Sequence, residues 1–113
     1  MNGTFLAVGP EGFGAYSITG GAWTPTNQTP EGVLSPGLVD LHIHGAFGID
    51  FMSASQDEVL SLASKLESEG YEAWLPTTVT ASPGDILHAL GNLPDHPSIL
   101  GFHLEGPFLS LDF

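Results

Sequence analysis

From residue 38 onward the chain alternates between two textures. The segments "LVDLHI", "EAWLPTTVT" and "SILGFHLEGPF" are rich in strand formers and lack clean alternation, as expected of strands covered on both faces. Between them, apolar residues recur at spacings of three and four. In "SQDEVLSLASKLESEG", Val59, Leu62, Ala63 and Leu66 form one stripe, and Ser55 with Glu58 three residues later makes a capping box. Gly70 is the stop, and Lys65 falls on the solvent side. A shorter helix is expected in "ASPGDILHALGN", with Ser82 as N-cap, Pro83 in the first turn, Ile86, Leu87 and Leu90 buried, His88 exposed and Gly91 as stop.

The three strand-like segments begin near Leu38, Ala73 and Ile99, a spacing of roughly 30 residues. That rhythm predicts successive βα units in a parallel sheet, with right-handed crossovers. A full eight-stranded βα barrel takes about 250 residues, so only three of its eight strands fit here. Residues 1–36 have a different texture. Short pieces such as "TFLAV", "FGAYSI" and "GAW" are separated by Gly- and Pro-rich turns, which predicts small antiparallel strands. The expected class is therefore α/β: residues 37–113 are the first three βα units of an incomplete TIM-type (β/α)8 barrel, and residues 1–36 are part of a small β-sandwich domain.

Composition narrows the function classes. Thirteen acidic residues face one cation, Lys65, for a net charge of −12. Such a surface repels phosphate backbones and argues against nucleic-acid binding. An anionic substrate would have to find its cations outside these residues or use backbone amides. No apolar run reaches the roughly 18 residues of a membrane span, and "MNGTFLAVGPEG" has no signal-peptide pattern, so a cytoplasmic location is expected. The chain has no cysteine, which excludes disulfides and thiolate metal sites.

Chemistry enters with "LVDLHIHG". On a strand, Asp40, His42 and His44 project to one face, and the two imidazoles fall at its C-terminal end, where βα barrels carry their sites. Paired imidazoles there suit Zn, Fe, Ni or Co, with Asp40 as a supporting carboxylate. An isolated HxH is more often two histidines satisfied by hydrogen bonds in a polar barrel mouth. In "GFHLEGPF", however, His103 and Glu105 share a face by the same alternation, and Glu105 again ends a strand before Gly106 and Pro107 turn the chain away. With no arginine in the chain to pair with it, Glu105 is the third candidate metal ligand beside His42 and His44.

In order and spacing, "PGLVDLHIHGAFGIDFM", "LPTTVT" and "GFHLEGPFLS" resemble segments of the N-acetylglucosamine-6-phosphate deacetylase family of the amidohydrolase superfamily. "DxHxH" alone would indicate only the superfamily, which includes dihydroorotases and hydantoinases; "HLEGPF" after "LPTT" is narrower. The resemblance covers residues 36–113 well and residues 1–35 loosely. It implies metal-dependent removal of the acetyl group from N-acetylglucosamine 6-phosphate, an amino-sugar phosphate, giving glucosamine 6-phosphate and acetate. It also implies one or two divalent ions (Zn, or Fe, Co, Ni or Mn), with Glu105 as the family's metal-binding glutamate and His42 and His44 as the pair that holds a second ion. The full-length form is expected to be a homo-oligomer.

The same resemblance places two further metal histidines, the catalytic aspartate that acts as general base, and the phosphate contacts beyond Phe113. His88 and His96 cannot stand in for them by position, and His103 is read as a supporting residue. Ending at "LSLDF" directly after the "EGPF" turn, the sequence is expected to be a piece of a longer protein and inactive by itself. Two alternatives remain open: another amide hydrolase of the superfamily, or a non-catalytic fragment in which His42, His44 and Glu105 are structural.

Overall fold

The computed structural model describes residues 1–110; Leu111, Asp112 and Phe113, the end of the expected second segment, lie outside the described residues. The chain divides into two compact units, Met1–Pro36 and Gly37–Phe113.

The first unit is a four-stranded sheet of β1 (Gly3–Gly9), β2 (Gly12–Thr19), β3 (Ala22–Pro25) and β4 (Gly32–Val33), in the order β3-β2-β1-β4. The first three strands are antiparallel, and β4 runs parallel to β1. Gly20 and Gly21 both take positive φ, 57° and 84°, which is what a two-residue hairpin turn matching the strand twist requires. Ala7, Tyr16 and Ile18 are buried together on one face, with Phe5 and Leu34 against them. The Tyr16 hydroxyl donates to the Gly12 carbonyl at 2.8 Å, so its polar end is satisfied at the β1–β2 turn.

The second unit holds β5 (Leu38–Ile43), a small hairpin of β6 (Gly45–Ala46) and β7 (Ile49–Asp50), α1 (Gln56–Ser68), β8 (Tyr71–Thr78), α2 (Pro83–Gly91) and β9 (His103–Leu104). The three longer-range strands form a parallel sheet in the order β5-β8-β9. Helix α1 begins as the sequence predicts. Ser55 Oγ accepts from the Glu58 N–H and the Glu58 carboxylate accepts from the Ser55 N–H at 2.8 Å, while Val59, Leu62, Ala63 and Leu66 are all buried. These four join Phe51, Ala54, Trp74 and Ala89 in one core, so residues of both helices pack with the central strand. Among the described residues, no helix is long and apolar enough to cross a membrane.

The structure corrects several expectations. In α2 the buried residues are Ile86 and Ala89, whereas Leu87 is 69% exposed and Leu90 only partly covered. Three apolar positions span more of the helix circumference than this contact needs, and the arc that wins runs through Ile86 and Ala89. The "GAFG" stretch, which strand and helix signals leave as loop, is the tight β6–β7 hairpin with Phe47 and Gly48 at positive φ. The third strand also does not run continuously from Ile99. Ile99 bridges to Trp74, pairing stops, and it resumes one residue out of step at Thr77–His103.

The cause of that break is Pro76. Trp74 directs both backbone groups at the third strand, donating to the Ser98 carbonyl and accepting from the Leu100 N–H. Two residues on, the backbone faces the same way, and proline has no N–H to give. The neighbouring segment between Ile99 and His103 bulges there, with Gly101 at φ +150°. Coverage on both faces holds for β8 alone. Leu38, Val39 and Leu41 on β5, and Leu100 and Phe102 ahead of β9 with Leu104 in it, stay exposed.

Candidate metal centre

The site is built at the C-terminal ends of the three parallel strands. Strand β5 carries His42 as its penultimate residue and His44 just past its end, and Glu105 follows β9 directly. Between Asp40 and Ile43 the pairing of β5 with β8 slips, three residues on β5 spanning two on β8. Side chains bond the main chain around the slip. Asp40 Oδ1 accepts from the His42 N–H at 2.9 Å, Thr77 Oγ1 accepts from the Ile43 N–H at 3.1 Å, and His103 Nδ1 donates to the Leu41 carbonyl at 3.0 Å.

The irregular strand end brings three donor atoms together. His42 Nε2 lies 3.2 Å from His44 Nε2 and 2.9 Å from Glu105 Oε2, and His44 Nε2 lies 3.1 Å from the same carboxylate oxygen. These are the described residues' one grouping of three potential ligands. All three side chains are partly open to solvent.

His44 Nδ1 sits 3.1 Å from the Thr77 carbonyl oxygen. A carbonyl can only accept, so Nδ1 carries the hydrogen, and neutral His44 keeps its lone pair on Nε2, facing Glu105 and His42. Lone pairs crowded to about 3 Å repel unless a proton or a cation lies among them. Around a tetrahedral Zn with bonds of about 2.0–2.1 Å, ligand atoms stand about 3.3 Å apart. The observed triangle, with sides of 2.9 to 3.2 Å, fits that spacing closely, so the residues present suit one small divalent cation. A second cation would need ligands besides these three.

Each candidate can now be placed. His42, His44 and Glu105 converge. His103 stands behind them, its ring 4.6 Å from that of His42 and its hydrogen bond on the main chain of β5. The Asp40 carboxylate braces the backbone of His42. His88 is exposed on α2, beside Asn92, and His96 bonds Ser98, which also receives the buried Trp74 indole N–H. Thr77, which carries no site signal in the sequence, holds the histidine segment with both its hydroxyl and its carbonyl. The pointer to it is the proline next door, since Pro76 in a central strand demands irregular pairing.

Beyond the pair, Gly45 takes φ +145°, and a Cβ there would collide with the Ile49 carbonyl oxygen. The peptide between Gly106 and Pro107 is cis, and Gly106 takes φ +82°, where a Cβ would collide with Thr80. Small residues thus flank the ligands on both strands.

No protein-family model matches the chain. Among curated proteins, N-acetylglucosamine-6-phosphate deacetylase of Bacillus subtilis is 40% identical over 74% of this chain and 24% of its own length. N-acetylgalactosamine-6-phosphate deacetylase of Escherichia coli O157:H7 is 36% identical over 69% of the chain and 22% of its own length. The crystal structure of N-acetylglucosamine-6-phosphate deacetylase from Thermotoga maritima superposes with a TM-score of 0.73 at 33% identity, covering 96% of this chain and 32% of that one. The chain thus spans about a quarter of the length of the curated relatives it matches. In sequence, and in its mixed α/β fold, it is homologous to part of the N-acetylglucosamine-6-phosphate deacetylases.

Proposed function

We propose that this chain is the metal-holding first part of an amino-sugar-phosphate deacetylase, with residues 37–113 supplying the first three βα units of a TIM-type barrel and residues 1–36 part of a small β-sandwich domain. The observation that carries the reading is the triangle of His42 Nε2, His44 Nε2 and Glu105 Oε2 at the C-terminal ends of parallel strands, where barrel enzymes place their chemistry. The segments bearing it, "DLHIHG" and "HLEGPF", are also those that carry the family resemblance.

Two imidazoles and one carboxylate match the donor preferences of Zn, with Fe, Co, Ni and Mn as further candidates. A divalent ion at such a centre polarises an amide carbonyl and provides a nucleophile at neutral pH. The chain's own residues hold and orient: Glu105 offsets the charge of the ion, the Thr77 carbonyl fixes the tautomer of His44, and Asp40 and His103 brace the main chain around His42. The general base and the phosphate contacts belong to other parts of the whole protein. This division of labour agrees with the chain's single cation, Lys65, which is too little to clamp a phosphate.

The reading is tested by titrating the metal-free chain with Zn by calorimetry, and by assaying acetate release by the intact parent protein from N-acetylglucosamine 6-phosphate. Uptake of Zn together with acetate release supports it. A parent that binds no divalent ion and releases no acetate refutes it. N-Acetylgalactosamine 6-phosphate belongs in the same assay, because the E. coli relative is named for that sugar and matches 69% of the chain.

A further inference from the structure

We infer that Thr77 is the positioning residue of this centre, its hydroxyl and its carbonyl together setting the aim of His42 and His44. The inference rests on the metal-centre reading above and goes beyond it by naming what organises the ligands.

Thr77 is fully buried near the end of β8. Its Oγ1 accepts from the N–H of Ile43, the residue between the two histidines, and donates to the Leu75 carbonyl at 3.0 Å. The hydroxyl is thereby held in one orientation, with its lone pair toward β5. Its carbonyl takes the Nδ1 hydrogen of His44. In a regular parallel ladder that carbonyl would receive a backbone N–H from β5. Here β5 ends at Ile43, which leaves that carbonyl to an imidazole, while the threonine hydroxyl adds a side-chain acceptor at the Ile43 N–H, the last ladder residue of the strand. One residue thus supports the segment at two points, one between the ligands and one on a ligand ring.

A hydroxyl is needed at this position, and threonine's shape alone is not sufficient. Valine fills the same volume but removes both the acceptor that the hydroxyl offers the Ile43 N–H and the bond it donates to the Leu75 carbonyl, which loosens the hold of β8 on the segment between the two histidines. A shift of Ile43 moves His42 and His44 apart or out of plane, because each is one residue away. Serine restores the hydroxyl and loses only a methyl group.

The test compares the whole chain as wild type, T77V and T77S, with two readouts. In the metal-free proteins, amide exchange at Ile43 and the imidazole nitrogen shifts of His42 and His44 are measured by NMR. Zn affinity is then measured by calorimetry. For T77V the expected results are at least about tenfold faster exchange at Ile43, altered His44 nitrogen shifts, and Zn affinity lower by about 10- to 100-fold, the usual cost of losing a group that orients a ligand. T77S is expected to stay within about twofold of wild type in both readouts.

Wild-type values in T77V overturn the assignment. So does a loss in T77S as large as that in T77V, which would mark the residue as mere packing. If T77V loses its fold by circular dichroism, T77S decides alone, a wild-type result supporting the assignment and a loss overturning it. If the wild-type chain takes up no Zn, the metal-centre reading fails on that result, and the metal-free NMR comparison still tests whether Thr77 orders the pair.

Discussion

Glu105 Oε2 stands 2.9 Å from His42 Nε2, although 63 residues separate the two along the chain and the strands that carry them are not neighbours in the sheet. Strand β8 lies between, and the two side chains meet over its end. The E105Q substitution keeps the shape and removes the charge, and an amide is a poor ligand for Zn beside two imidazoles. Zn affinity of E105Q is expected to fall by more than about 100-fold, beyond what loss of a supporting group costs. Calorimetry measures it, and a wild-type isotherm would remove Glu105 from the centre.

Replacing both His42 and His44 with asparagine tests the other side of the triangle. Asparagine supplies no imidazole lone pair, so the double variant is expected to bind less metal per chain after dialysis, as read by elemental analysis. In the intact parent, the remaining stoichiometry separates a one-ion from a two-ion enzyme. Unchanged metal content would assign the pair a structural role.

Gly45 is the hinge between the histidine pair and the hairpin after it. A side chain there meets the Ile49 carbonyl in a backbone conformation that only glycine adopts freely. G45A is expected to cost about 1–3 kcal/mol, a fall in melting temperature of several degrees. A thermal melt checks this, and a midpoint within about a degree of wild type would show that the hairpin adapts.

The pH dependence of the α1 cap has a definite sign. The Glu58 carboxyl is held below its ordinary value, first by the Ser55 backbone N–H and then by the Ser55 hydroxyl. A carboxylate with a lowered folded-state pKa stabilises the fold above its unfolded value near 4.5, and that contribution disappears as pH falls through the folded value. S55A removes the hydroxyl cap at a cost of about 1 kcal/mol at neutral pH. It is also expected to flatten the acid side of the stability profile, because one of the two bonds that lower Glu58 is gone. Denaturant melts from pH 7 to pH 3 measure this, and parallel profiles for the two proteins would contradict it.

What could be read from the sequence divides by how local the governing forces are. Helix α1 was legible in full, because Ser55, Glu58 and the stripe from Val59 to Leu66 are set by contacts within one or two turns. The convergence of His42, His44 and Glu105 was legible from strand alternation and the position of strand ends. The burial of Ala89 in place of Leu87 was not, since the arc of α2 that faces inward depends on partners distant in sequence. The break in the third strand was hidden for a related reason. Pro76 is visible in the sequence, but its missing N–H matters only once the direction it faces is known. Thr77 carries no chemical signature of its own, and its importance comes from the strand slip beside it.

The arrangement of the sheet gives the centre a mechanical side. Two of the candidate ligands come from one margin of the sheet and one from the other, so an ion bound there would act as a rivet, fastening the outer strands to each other over a middle strand that contributes none of the three. It would close a chain segment of about 60 residues at a stroke, and the entropy thereby removed from the unfolded chain favours the native sheet. Stripping the ion with a chelator should therefore loosen both margins together, with hydrogen exchange rising in β5 and β9 well before it rises in β8.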